Sequence, residues 1–225
     1  MLESALAKYR LGLPMNYAEE LAYWYFRLNG FFPITNFVLH RGAGMPHPAD
    51  VDLLAVRFPY ISEDIGGNTH DWDKRFQQWG ADLNADTIGI IAEVKSGSYN
   101  RKDIDRILDA ERTRRALLRL GIFKPAEPAV SQNIAAAKIR HSDKMVLRLL
   151  IAPYNYYGTD AFLFLSLAEI DEFLQSRLGR YADVKNADRL FFQSSLLQYL
   201  AARPSLPSDA PRPSHHFLQQ GGDPE

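Results

Sequence analysis

An apolar run ends on an acid and a base two residues apart, Ile90-Ile91-Ala92-Glu93-Val94-Lys95. In an extended strand alternate side chains share a face. Glu93 and Lys95 would then stand on one side, about 6.5–7 Å apart, with Val94 turned into a core. A second acid, Asp52, opens another apolar run, Val51-Asp52-Leu53-Leu54-Ala55. Neighbouring strands lie about 4.8 Å apart, so pairing the two runs brings the carboxylates of Asp52 and Glu93 to one place. Two acids held together repel, and a hard divalent cation such as magnesium or manganese relieves the repulsion. A lysine beside them can stabilise developing phosphate charge, or hold and help deprotonate a water whose pKa the metal lowers. Together these groups suit phosphodiester hydrolysis.

The elements that must position these groups are legible from periodicity. Residues 17–29 read as a helix with Asn16 as N-cap and Gly30 as stop. Residues 31–40 and 51–58 are rich in β-branched and aromatic types and are separated by Gly- and Pro-containing 41–48, which predicts a paired strand couple. A nearly continuous apolar run at 87–95 predicts a central strand covered on both faces. A charged helix is expected over roughly 101–120, a short helix near 131–141 and strands at 146–152 and 161–166. Helical periodicity returns at 167–178 and 186–201. The order predicts one α/β domain with a mixed sheet over 1–202, and Pro-, Ser-, Gly- and Gln-rich 203–225 reads as a disordered tail.

Composition narrows the chemistry. The 225 residues include no cysteine, which removes thiolate ligands, disulfides and cysteine nucleophiles and suits a reducing cytoplasm. Any metal must sit on carboxylates or histidines. No run of eighteen apolar residues occurs, so no membrane span is expected. A net charge of −1 argues against coating nucleic acid by bulk electrostatics but leaves room for a local basic face. Phosphate-binding Gly-rich loops and a Gly-x-Ser-x-Gly elbow are missing. His47 and His70 with Asp71 and Asp73 lack the tight spacing of a zinc site. Asp50 shares a strand face with Asp52 but falls at the loop edge, and Asp183-Val184-Lys185 repeats the acid-x-lysine pattern in a polar stretch where a solvated role suffices.

Three segments carry a family resemblance: Glu19-x-x-Ala22-x-x-Tyr25-Phe26-x-x-x-Gly30 with Phe31 after it, Ala49-Asp50-Val51-Asp52-Leu53-Leu54-Ala55, and Ile90-Ile91-Ala92-Glu93-Val94-Lys95-Ser96. Across residues 17–97 the chain resembles the PD-(D/E)xK nuclease superfamily, specifically its Holliday junction resolvase and Mrr-like restriction endonuclease branches. The resemblance implies a restriction-endonuclease-like αβββαβ core completed by residues 98–202. It implies Glu19, Asp52, Glu93 and Lys95 as catalytic residues, and Asp52, Glu93 and Glu19 as ligands of magnesium or manganese. Helix geometry separately distinguishes the two neighbouring acids. At about 100° per residue Glu20 falls with Arg27 away from the apolar stripe, and Glu19 at its edge, so Glu20 is expected to be the solvated one.

The expected activity is metal-dependent endonucleolytic cleavage of DNA in the cytoplasm, since the helix after Lys95 lacks the Gln that marks RecB-like exonuclease relatives. No appended DNA-reading module is recognisable, so a homodimer or a partner protein would supply specificity. The alternative is a catalytically silent nucleic-acid-binding or assembly module of the same fold within a defence or repair complex. Between Glu111 and Arg148 nine basic residues face three acids. Arg112, Arg114, Arg115, Arg119, Lys138 and Arg140 are therefore the candidate phosphate contacts, with a solvated helix face as the competing explanation.

Overall fold

A computed structural model describes residues 16–39, 49–107, 109–128, 134–181, 183–184 and 194–202. Helix α1, Tyr17–Leu28, begins where the Asn16 side chain accepts from the amides of Ala18 and Glu19 and the Glu19 carboxylate turns back to the Asn16 amide. This reciprocal cap satisfies donors that the first turn leaves open. Ala18, Leu21, Ala22, Tyr25 and Phe26 are buried at helical spacing, and the chain leaves α1 through Gly30 at φ 79°.

Strands β1 (Phe32–Leu39), β2 (Ala49–Arg57) and β3 (Thr87–Val94) form an antiparallel meander, with the short helix α2 (Arg75–Gln78) in the connection from β2 to β3. Strand β5 (Lys144–Ala152) runs parallel to β3 on its other side. The far edge of β5 is shared by β4 (Lys138–His141), antiparallel along Lys144–Leu147, and β6 (Leu163–Ser166), parallel along Leu149–Ala152. The result is a six-stranded mixed sheet.

Alternation along β3 and β5 sends side chains to two cores. Ile88, Ile90, Ala92 and Val94 join Leu147, Leu149 and Ile151 under α1, α5 (Leu167–Arg180) and α6 (Ser195–Ala202). On the opposite face Val146 packs with Leu117 and Ile122, and Leu150 with Ile104 and Phe162, beneath α3 (Arg101–Ile107) and α4 (Ala110–Leu120). The expected central strand, covered on both faces, is therefore β3, with β5 beside it. Among the described residues no helix is long and apolar enough to cross a membrane.

Three expectations change. The helix expected over 101–120 is two helices, because the Asp109 carboxylate accepts from the Arg112 amide at 2.7 Å and starts α4 afresh. The helix expected near 131–141 ends instead in β4, where Ile139 is buried between exposed Lys138 and Arg140 in strand alternation, and a tight turn through Ser142 at φ 56° leads into β5. Of the helix expected over 186–201, α6 covers the end, and 186–193 lie outside the described residues, as do the 41–48 connection and the tail expected at 203–225.

Candidate active site

The antiparallel ladder between β2 and β3 runs from Arg57↔Ile88 to Leu53↔Ala92, so the next position on each strand sets Asp52 opposite Glu93. The neighbouring β1–β2 ladder is interrupted at this level. Pairs exist at Thr35↔Leu53 and Phe37↔Val51, while Asn36, opposite Asp52, has φ 53°. Side-chain alternation slips with it: Val51 packs with Leu54 and Ala116 below α4, whereas Leu53 and Ala55 belong to the α1 side. Asp52 therefore stands where β2 is irregular, and its Oδ2 accepts the Val94 amide at 2.8 Å in place of a ladder carbonyl.

Glu93 is buried and held from two sides. Lys95 Nζ donates to its Oε1 at 2.8 Å, and Arg112 Nη2 donates to its Oε2 at 2.6 Å. Lys95 is anchored in turn by its amide, which donates to the Ile151 carbonyl at 2.8 Å. Arg112 reaches Glu93 from the first turn of α4, and its side chain is only 6% exposed. Among the described residues no lysine or arginine makes such a direct contact with Asp52. Burial and then the Glu93 charge push its carboxyl up to about 6, against the lowering effects of the Val94 amide and Lys95. Glu19 adds to the rise, which puts its charge within electrostatic reach of Asp52.

Asp52, Glu93 and Lys95, expected to converge, do so. Glu19 lies nearby, but its carboxylate is engaged with Asn16 through both the amide and the side-chain Nδ2. Glu20 departs from expectation: it is half-buried and accepts from Ser194 Oγ at 2.6 Å, because the residue before α6 packs over this face. The two acids of the turn are thus both partnered.

The basic set does not form one surface. Arg112 is a buried partner of Glu93, so it is corrected from phosphate contact to internal counter-charge. Arg114 and Arg115 both donate to Glu111, at 2.7 and 2.8 Å, and the Arg119 guanidinium lies 5.2 Å from the Phe37 ring centre. Arg140 is paired with Asp86 at 2.6 Å. It sits opposite Met145 of β5, whereas Glu93 is aligned with Leu150. Five residues of strand, about 17 Å, thus separate Arg140 from the level of Glu93, and Lys138 lies only two residues nearer along β4. Counting charge along the chain could not reveal which end of β5 the hairpin covers.

Sequence reasoning missed Arg148 as well. It occupies β5 beside Ile91 and is 1% exposed, with Nη1 on the Ile134 carbonyl at 3.1 Å and its guanidinium 4.9 Å from the Phe162 ring centre. Burial, helped by Arg112, lowers its pKa to about 10. Its signal was present in Val146-Leu147-Arg148-Leu149-Leu150, where a cation interrupts a core strand.

Among the described residues no group of three or more acids and histidines has metal-holding geometry. Asp52 and Glu93 supply two hard-oxygen carboxylates, which fits magnesium, an ion commonly held by one or two carboxylates together with waters and substrate phosphate. The loop acids have other roles: Asp71 accepts from Arg180 and Tyr181, and Asp73 from Tyr25 and Arg75. His47 lies outside the described residues. No protein-family model, curated protein or solved structure matches the chain.

Proposed function

We propose that this chain is a magnesium- or manganese-dependent nuclease of the PD-(D/E)xK type that hydrolyses phosphodiester bonds in DNA. The observation that carries the proposal is the placement of Asp52 opposite Glu93 with Lys95 bonded to Glu93 at 2.8 Å, all at one end of β2 and β3. The element order supports it: a helix, a three-strand antiparallel meander, a helical crossover and a strand parallel to the third is the order of the restriction-endonuclease-like core.

Asp52 and Glu93 would hold the cation, with Glu19 close enough to add charge to that end of the site. A bound divalent ion would supply Lewis acidity toward the phosphate and a more acidic water. Lys95 carries its ammonium beside Glu93 and can meet negative charge growing on a phosphate oxygen or orient the attacking water. Arg112 fixes the second oxygen of Glu93, so this carboxylate cannot swing when Lys95 turns toward substrate. A second reading, a non-cutting module of the same fold, is favoured by the same contact: both Glu93 oxygens already face cations.

The test is incubation of the purified chain with supercoiled, linear, single-stranded and branched DNA, with magnesium, with manganese and with chelator. Cleavage that requires the metal is the expected result. Binding without cleavage of any form would overturn the nuclease proposal in favour of the non-cutting module.

A further inference from the structure

Two loops leave the site end of the parallel strands β3 and β5, which are tied there by the bond from the Lys95 amide to the Ile151 carbonyl. One is Ser96-Gly97-Ser98-Tyr99-Asn100 and the other includes Tyr154-Asn155-Tyr156-Tyr157-Gly158. Tyr99 is buried, and its hydroxyl joins the loops by donating to the Tyr154 carbonyl at 3.0 Å and accepting the Tyr156 amide at 3.1 Å. Around it the rings are close: centroids are 5.2 Å apart for Tyr99 and Tyr156 and 6.0 Å for Tyr154 and Tyr156. Tyr154 and Tyr156 are each 47% exposed.

The position of this group relative to the candidate site follows from register. Glu93 is aligned with Leu150 on the adjacent strand, and Leu150 packs in one cluster with Tyr99, Ile104 and Phe162. Tyr99 thus covers the sheet face that carries Glu93, one strand over, a lateral step of about 4.8 Å, and it holds the loop of Tyr154 and Tyr156 through its hydroxyl. Tyr154 follows Ile151 by three residues, at most about 11 Å of chain. The first turn of α3 adds exposed Arg101 and Lys102. Asp103 accepts the Asn100 amide, and Asp105 pairs with Arg101 at 3.2 Å, so Lys102 is the cation this turn chiefly offers.

We infer that Tyr154 and Tyr156 form a stacking platform for unpaired bases, making single-stranded or locally unpaired DNA the substrate class of the adjacent site. The inference rests on the nuclease reading for the word substrate, but the platform itself does not. Aromatic faces held rigid beside cations are the means by which proteins bind single strands without sequence preference. Neither loop stretch contains an aliphatic residue, so beside the rings the loops expose amides and hydroxyls. The bases of an intact duplex are stacked on one another and offer no face to such rings.

The test is binding in chelator of a labelled oligodeoxythymidine of about 15 nucleotides, beside a duplex hairpin, read by fluorescence anisotropy. Tyr154→Ala and Tyr156→Ala should each weaken single-strand binding by about 5- to 150-fold. Tyr154→Trp and Tyr156→Trp should restore it, and duplex binding should stay within about twofold, since neither ring meets a stacked base. Both positions are half-exposed, so melting temperatures should barely move. Single-strand affinity unchanged by either alanine, or duplex affinity falling equally, would overturn the platform. Because binding is read without metal, absence of cleavage would sink the nuclease reading and leave the platform standing. Cleavage together with unaltered binding would do the reverse.

Discussion

Asp52→Asn should make the protein more stable at neutral pH, although it removes a residue proposed to be essential. Burial and the Glu93 charge raise the Asp52 carboxyl from its ordinary 3.8 to about 6 in the folded chain. At about 1.4 kcal/mol for each tenfold change in proton affinity, that interval corresponds to about 3 kcal/mol. Asp52 keeps some contact with solvent, so about 2–3 kcal/mol is the expected size. Below pH 3.8 the carboxyl is protonated in folded and unfolded chains alike and there is no penalty. As pH rises through the interval the unfolded chain releases its proton first, and stability falls until the folded group also ionises near pH 6. Above that the loss is constant. Asparagine mimics the protonated acid and its oxygen can still accept the Val94 amide, so the variant should escape the loss.

The assay is thermal or urea unfolding in chelator from pH 3.5 to 8. For a chain of this length each kcal/mol moves the midpoint by about 2–4 °C, so a gain of about 5–10 °C is expected at pH 7.5, shrinking to nothing near pH 4. Magnesium or manganese should then raise the wild-type midpoint at pH 7.5. A cation at a hundredfold excess over its dissociation constant contributes about 2.7 kcal/mol, enough to offset the ionisation loss. The asparagine variant should gain far less. A variant less stable than wild type at pH 7.5, or one whose advantage persists at pH 3.5, would refute the account of Asp52 as a carboxylate strained by burial and by Glu93.

Glu93→Gln should move stability the other way, by about 3–5 kcal/mol, because it removes the carboxylate from a buried pair whose Arg112 side chain is 6% exposed; unfolding in urea measures it. Lys95→Met should lower DNA cleavage by about two to four orders of magnitude while calorimetric metal affinity stays within a fewfold. Gly66→Ala should destabilise the fold by at least about 1–2 kcal/mol in urea unfolding. Gly66 has φ 76° and an added Cβ would strike the buried Arg177 guanidinium, which lies 3.7 Å from Asp71.

What was legible in the sequence was local. The Asn16 cap, the apolar stripe of α1 and the alternation of β2 and β3 each depend on residues a few positions apart, and Asp52, Glu93 and Lys95 met because antiparallel pairing of two adjacent runs leaves few registers. The break at Asp109 hid behind helix-favouring neighbours on both sides, and the β4 turn had only a four-residue strand to announce it. Long-range matters were hidden altogether. Nothing in the spacing of Arg112 says that α4 drops it onto Glu93, and the charge sum over 111–148 mixed cations from a helix over β2, a core strand and a hairpin at the other end of the sheet. A charge within an apolar run, as at Arg148, was the signal of a buried cation, which here meets the Ile134 carbonyl and the Phe162 ring.

The asymmetry between the two acids is the part of the site with the most chemical content. Asp52 and Glu93 face each other across one pair of strands, yet Glu93 is met by two cations at 2.8 and 2.6 Å and Asp52 by one backbone amide at 2.8 Å. Like charges brought together cannot both be comfortable, and the protein puts the discomfort on one of them. Paired titratable groups driven apart by their surroundings commonly divide the work between them. On the proposed reading both carboxylates would face the cation, and Asp52, raised by burial and by Glu93, would gain more than Glu93 when positive charge arrives. A site whose two acids were both neutralised by arginine and lysine would have little to offer a metal; on the proposed reading Asp52 would be the carboxylate that a metal relieves most.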